Sequence, residues 1–273
     1  MEKIVVAYPD NEKVTLEGYI LNKELHFGQS LKRPTVIVCA GGGYQYRCDR
    51  EAEPIALAYA ARGFTTFVLN YSVKEEAHDF APYKELNWAI GYVRDHAEEL
   101  MVDENAIATC GFSAGGHLAL AGGLVCENKP NYMILGYPAV FAVPDAVIKQ
   151  IGERMFGLAN PSEEDIKKIR LIDYINENSP AAFIFGTAQD QFVQDGPLQL
   201  ALEYNKHKLP YEIHIYGHGP HGMALGTVAS ADGSSRNVNE RYETWVDLSV
   251  KWLMAMMGTI ELKDVSTSKL GIN

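Results

Sequence analysis

This sequence lacks long apolar runs. Its apolar stretches are strand-length, and none approaches the about 20 residues that a membrane-spanning helix needs. Residues 1–6 pass at once into polar sequence, with no apolar leader or small-residue cleavage site, so no secretory signal is expected. Cysteine is scarce. The four present, Cys39, Cys48, Cys110 and Cys126, form no C-x-x-C pair and have no metal-binding spacing. Cys39 and Cys110 lie in apolar runs and read as small buried hydrophobes. Together these absences favour a cytoplasmic location. Basic residues are also outnumbered, 24 against 35 acidic, for a net charge of −11. Such a chain repels phosphate backbones and anionic lipid surfaces, which argues against nucleic-acid and membrane partners. The contiguous Gly41, Gly42 and Gly43 fit neither G-x-G-x-x-G nor GK[ST] spacing, so a nucleotide-binding loop is not expected there. No internal repeat or low-complexity segment is visible.

What is present is an alternation of strand-like and helix-like segments over 273 residues, read as a single domain spanning 1–273. Residues 4–7 and 14–21 suggest an antiparallel start. Strands are then expected at 35–39, 65–69, 107–110, 132–135, 181–185 and 211–216. Helices are expected at 51–62, 82–100, 114–124, 197–206 and 240–257. Several of the strands are short, continuously apolar runs, as strands covered on both faces should be. The pattern predicts an α/β fold, with a mostly parallel, doubly wound sheet and helices on both faces. Residues 138–180 break the rhythm after the sixth strand and read as a small helical insertion near the site. Residues 228–239 read as a polar loop and the residues after Gly258 as a polar tail.

The chemistry centres on Gly111-Phe112-Ser113-Ala114-Gly115, a G-x-S-x-G pattern between a predicted strand and a predicted helix. Acyl transfer needs that placement. The serine must sit on a tight turn that projects its hydroxyl, and small neighbours let strand and helix pass closely. The amides at the helix start then point at developing negative charge. The alternative is a glycine-rich turn with a capping serine. A second motif, Ala40-Gly41-Gly42-Gly43-Tyr44, follows the strand at 35–39. Glycines there let bare backbone approach an oxyanion, so the candidate donors are the amides of Gly42, Gly43 and Ala114.

A histidine base is expected on a loop after a late strand. His26 and His78 lie in polar stretches before the serine, His96 and His207 on helices, His117 on the helix after the serine, and His214 within a strand. That leaves His218 and His221, of which His221 lies deeper in its glycine-flanked loop. His218 is expected to be structural or a substrate contact. The spacing of His214, His218 and His221 admits a metal site, but no cysteine or carboxylate cluster accompanies it. The acid should follow the strand at 181–185, which points to Asp190. Asp195, just before Gly196-Pro197, better suits helix capping. The order Ser113, Asp190, His221 is that of α/β hydrolases.

These motifs, with the R-E-A-E-P-I-A run at 50–56, G-F-S-A-G-G-H-L-A at 111–119, and the G-T-A-Q-D and Y-G-H-G-P-H-G segments, resemble the acetyl esterase and acetylxylan-esterase-like lipolytic family of the α/β-hydrolase fold. The resemblance runs from about residue 34 to 222. It implies a catalytic triad of Ser113, Asp190 and His221. It also implies removal of acetyl or other short acyl groups from sugars and small esters. Family members often carry Pro or His where this chain has Ala40, and a carboxylate where it has Gln189.

The expected activity is therefore hydrolysis of short-chain esters through an acyl-serine, without metal or cofactor. The expected partner is a small ester, an acetylated sugar being the leading choice, with a homo-oligomer possible. Tyr44, with Tyr46 and Trp245, is a candidate substrate contact. A serine peptidase or other acyl-transfer hydrolase on the same fold, or a non-catalytic binder, are the alternatives.

Overall fold

The computed structural model describes residues 1–22, 31–141, 144–193 and 195–258. His26 and the tail expected after Gly258 lie outside these residues.

Eight strands form one sheet in the order β1-β2-β4-β3-β5-β6-β7-β8. β1 (Glu2–Tyr8) and β2 (Asn11–Ile20) make the expected antiparallel pair, and β2 also runs antiparallel to β4 (Thr65–Asn70). From β4 onward every pairing is parallel, through β3 (Arg33–Cys39), β5 (Val102–Phe112), β6 (Tyr132–Gly136), β7 (Ala181–Thr187) and β8 (Tyr211–Tyr216). The sequence thus specified a mostly parallel α/β sheet correctly.

The sheet is covered on both faces. Ile37 and Cys39 of β3 point into a core shared with α2 (Ala81–Asp95), α4 (Ala114–Leu124) and α7 (Gly196–Lys206). Val36 and Val38, on the opposite face of the pleat, join a second core with α1 (Glu53–Ala60) and α8 (Trp245–Met257). This period-2 alternation puts a strand's apolar residues to use on both sides, which explains its continuous apolar run.

Three expected helices differ in detail. The one expected at 82–100 breaks at His96, leaving α2 and the single turn α3 (Ala97–Leu100). The last begins later, at Trp245. The one expected at 51–62 splits: Asp49–Glu51 is a 3₁₀ turn, Ala52 kinks the chain, and α1 starts at Glu53 with Pro54 in its first turn. Proline suits that position because the N–H it lacks has no helical partner there. The kink turns Glu51 into the protein interior.

Parallel pairing brings one set of strand ends together. Cys39 lies opposite Gly111, Phe112 opposite Gly136, Gly136 opposite Phe185, and Thr187 opposite Tyr216. The loops after β3, β5, β6, β7 and β8 therefore leave the same edge, where ligands bind in open parallel sheets. Between β6 and β7 run α5 (Asp145–Phe156) and α6 (Glu163–Ile169). Among the described residues, no helix is long and apolar enough to cross a membrane.

Candidate active site

Ser113 sits between β5 and α4 with φ 52° and ψ −119°. A non-glycine residue held there is strained, and the surrounding packing must maintain it. Its amide donates to Gly136 O at 3.1 Å, and its carbonyl accepts from Ala139 N at 3.0 Å. α4 is buried along its whole length. Its glycines lower helix propensity by about 1 kcal/mol each, so packing rather than propensity holds it. Gly115 shows why they are needed: a Cβ there would lie 2.1 Å from Cys39 O. Only glycine lets α4 pass so close to the end of β3.

The loops after β7 and β8 bring two further predicted residues to the serine. His221 Nε2 is 2.9 Å from Ser113 Oγ, and His221 Nδ1 is 2.7 Å from Asp190 Oδ2. Asp190 Oδ1 accepts the amides of Phe192 at 2.9 Å and Val193 at 3.3 Å. Burial pushes the Asp190 carboxyl upward, but the bond and charge of His221, with the two amides, outweigh it. The net effect holds Asp190 below the ordinary carboxylate range. The histidine loop is itself tied down. Thr187 Oγ1 donates to Gly219 O at 2.7 Å, and Trp245 Nε1 donates to Ala224 O at 3.0 Å.

The glycine loop lies against the serine. A Cβ on Gly41 would come 3.1 Å from Ser113 Cβ. Gly42 has φ +127°, a conformation that suits glycine alone, and a Cβ there would strike Tyr46 O at 2.1 Å. Gly43 (φ +63°) follows, and Ala114 opens α4. Ala40 has its carbonyl bound by the Tyr71 hydroxyl.

Tyr44 does not take the substrate-contact position expected of it. It is 0% exposed, and its ring packs on Tyr71 and Phe156. Its hydroxyl is 2.9 Å from His117 Nδ1. At φ 57° the chain turns inward after the glycines and carries the ring into the core. Trp245 is likewise buried, stacked on Phe185 with centroids 4.3 Å apart, so it offers no sugar-stacking surface. Tyr46 is exposed.

His117 packs on its helix as expected, and it also bridges elements. Its Nε2 lies 2.9 Å from Ile169 O, at the end of α6. With Nε2–H donating there and Nδ1 accepting from Tyr44, the ring is neutral and links α4, the glycine loop and the segment between β6 and β7. Burial lowers its pKa from 6.5 to about 4. The unfolded chain therefore binds more protons across that window, so stability is complete above pH 6.5 and declines toward pH 4. The loss expected is on the order of 3 kcal/mol. Urea unfolding at several pH values should show this decline in the wild type and flatten it in His117→Gln. Equal slopes would refute it.

The remaining candidates lie apart from the hydrogen-bonded chain. His218 is exposed, and its carbonyl accepts from Asn239 Nδ2 at 3.4 Å. His214 Nε2 is 2.7 Å from Glu212. Among the described residues, no group of three or more His, Cys, Asp or Glu is arranged to hold a metal. Asp195 stands at the N-cap position of α7 but makes no side-chain cap; it accepts from Gln199 Nε2 at 2.7 Å. Gln189 Oε1 accepts from Gly219 N at 3.3 Å.

Three site residues escaped the sequence reading. Phe192 is 84% exposed, its ring 5.2 Å from that of His221, on an open cleft of about 1210 Å³ that runs from His221 past Gln189 to Arg236. Glu51 and Tyr137 are buried beneath the serine and histidine loops. Glu51 stood in the R-E-A-E-P-I-A run, but nothing in its spacing marked it as inward-facing.

Comparison with known proteins finds similarity to α/β hydrolases. The BD-FAE family model matches residues 25–135. An α/β hydrolase enzyme from a Medee basin deep-sea metagenome library is 33% identical, with a TM-score of 0.81, covering 94% of this chain and 98% of that one. An acetyl ester-xyloside bifunctional hydrolase from Caldicellulosiruptor lactoaceticus is 29% identical, with a TM-score of 0.76, covering 91% and 89%. The acetylxylan esterase of Xylanibacter ruminicola is 24% identical over 204 residues, 70% of this chain and 41% of that protein. The chain spans less than half the length of the curated relatives it matches.

Proposed function

Because this chain belongs to the acetyl esterase-like family of α/β hydrolases, we propose that it is a serine esterase that removes short acyl groups, acetyl above all, from sugars or oligosaccharides. The observation that carries this reading is the unbroken chain Ser113–His221–Asp190, with contacts of 2.9 and 2.7 Å.

In this mechanism His221 Nε2 takes the proton from Ser113 Oγ as that oxygen attacks the ester carbonyl. The amides of Gly42, Gly43 and Ala114 donate to the oxyanion. The imidazolium returns its proton to the departing alcohol, leaving an acyl-serine. Water, deprotonated by the same histidine, then attacks the acyl carbon, and the acid leaves with the serine restored. Asp190, held ionised, fixes the Nδ1–H tautomer and stabilises the imidazolium. A reducing cytoplasm fits the four free cysteines.

Phe192, rather than Tyr44, is the aromatic that meets the alcohol part of the substrate. Its exposed ring beside His221 offers the apolar face that a sugar ring packs on.

The test is turnover of p-nitrophenyl acetate, butyrate and octanoate, then of an acetylated xylo-oligosaccharide, by the wild type and Phe192→Ala. Acetate should be cleaved fastest. Phe192→Ala should raise KM for the oligosaccharide severalfold and leave p-nitrophenyl acetate turnover unchanged. Absence of ester cleavage would overturn the proposal. Equal KM for the oligosaccharide would remove Phe192 from it.

A further inference from the structure

Beneath the site lies a buried pair that the mechanism above does not use. Glu51 is almost wholly buried, yet both of its carboxyl oxygens are engaged. Oε2 accepts from Gly41 N at 2.8 Å, and Oε1 accepts from the Tyr137 hydroxyl at 2.6 Å. The same hydroxyl oxygen accepts from Ala224 N at 3.0 Å. Two side chains thus join three loops: the glycine loop after β3, the turn after β6 and the histidine loop after β8.

Each junction adjoins a reacting group. Gly41 precedes Gly42 and Gly43. Ala224 comes three residues after His221. The Tyr137 ring meets the His221 ring edge-on, with centroids 5.1 Å apart. Tyr137 itself is held at φ 33°, outside the comfortable range for a non-glycine residue. Its amide donates to Phe185 O at 2.6 Å, at the end of β7.

Burying a carboxyl is costly unless its oxygens find donors. Burial pushes the Glu51 carboxyl above its usual range, partly offset by the bonds from Tyr137 and Gly41 and by the charges of His221 and Arg50. An apolar pair would fill the space without that cost. What a carboxylate and a phenol supply instead is direction, because each bond fixes where a backbone amide stands.

We infer that Glu51 and Tyr137 are positioning residues: a buried strut that sets the distance between the oxyanion-side glycine loop and the His221 loop. The inference rests on the reading of Ser113 and His221 as the reacting pair. A strut of this kind acts on turnover more than on binding, because the reaction is sensitive to donor placement. A misplacement of about 1 Å can cost about 10²-fold in rate.

The test is steady-state kinetics on p-nitrophenyl acetate with Glu51→Gln, Tyr137→Phe and the double variant. Circular dichroism confirms folding at the assay temperature. Either single variant should lower kcat by about 10- to 100-fold with KM within about 3-fold. The double variant should be little worse than the poorer single one, because both remove the same connection. If Glu51→Gln does not fold, Tyr137→Phe, which removes one oxygen, decides the matter alone. Folded variants with wild-type kcat, a loss confined to KM, or losses that multiply in the double variant would each overturn the strut. Ser113→Ala in the same assay separates the two ideas. If it is inactive while the strut variants are normal, only the strut fails. If it remains active, the underlying reading fails.

Discussion

Ser113→Ala should lower kcat toward p-nitrophenyl acetate by about 10⁴–10⁶-fold while the fold stays intact. The size follows from what is removed. Without Oγ there is no acyl-enzyme, and the remaining groups assist only direct attack by water. The change should not unfold the protein, because the hydroxyl makes no cap bond to α4. Alanine is also smaller, although the left-handed φ of 52° that it must adopt stays strained. Burst kinetics offer a second reading. The wild type should release a stoichiometric pulse of p-nitrophenol if acyl-enzyme breakdown is the slower step, and the variant should release none. An active Ser113→Ala enzyme would dismiss the nucleophile and with it the esterase mechanism.

Asp190→Asn should cost about 10⁴-fold in kcat. Asparagine keeps the shape but changes what His221 meets. The carboxylate accepts from Nδ1–H, which leaves Nε2 unprotonated toward Ser113. An amide NH₂ placed there would donate to Nδ1 and drive the proton to Nε2, the atom that must receive it from serine. The fixed negative charge that favours the imidazolium also disappears. Asp190 is almost completely buried, and its other oxygen accepts two amides, so some loss of stability should accompany the loss of rate. Asp195→Asn, by contrast, should leave kcat within about 2-fold, since surface changes of this kind have small effects. If the two variants behaved alike, Asp190 would lose its role.

How much of this was legible beforehand depends on the range of the interaction. The sequence by itself determined the alternation that makes a parallel sheet, the turn at Ser113 and the order of Ser113, Asp190 and His221. Those features rest on local chemistry. Apolar runs of strand length, glycines beside a serine, and a histidine between glycines declare themselves within a few residues. The structure brings those three residues into one hydrogen-bonded chain although Ser113 and His221 are 108 positions apart.

Only the tertiary structure decided which side chains around that chain face inward. Tyr44 looked available beside its glycines, yet the positive φ that follows them turns it into the core against Phe156. Phe192 drew no attention in the sequence, yet it stands exposed beside His221. Glu51 seemed to belong to the face of a helix, until the kink at Ala52 sent it under the glycine loop to meet Tyr137, 86 residues away. The physical reason is common to all three. Burial is set by what the other strands and loops bring alongside, and periodicity within one segment carries no information about those partners.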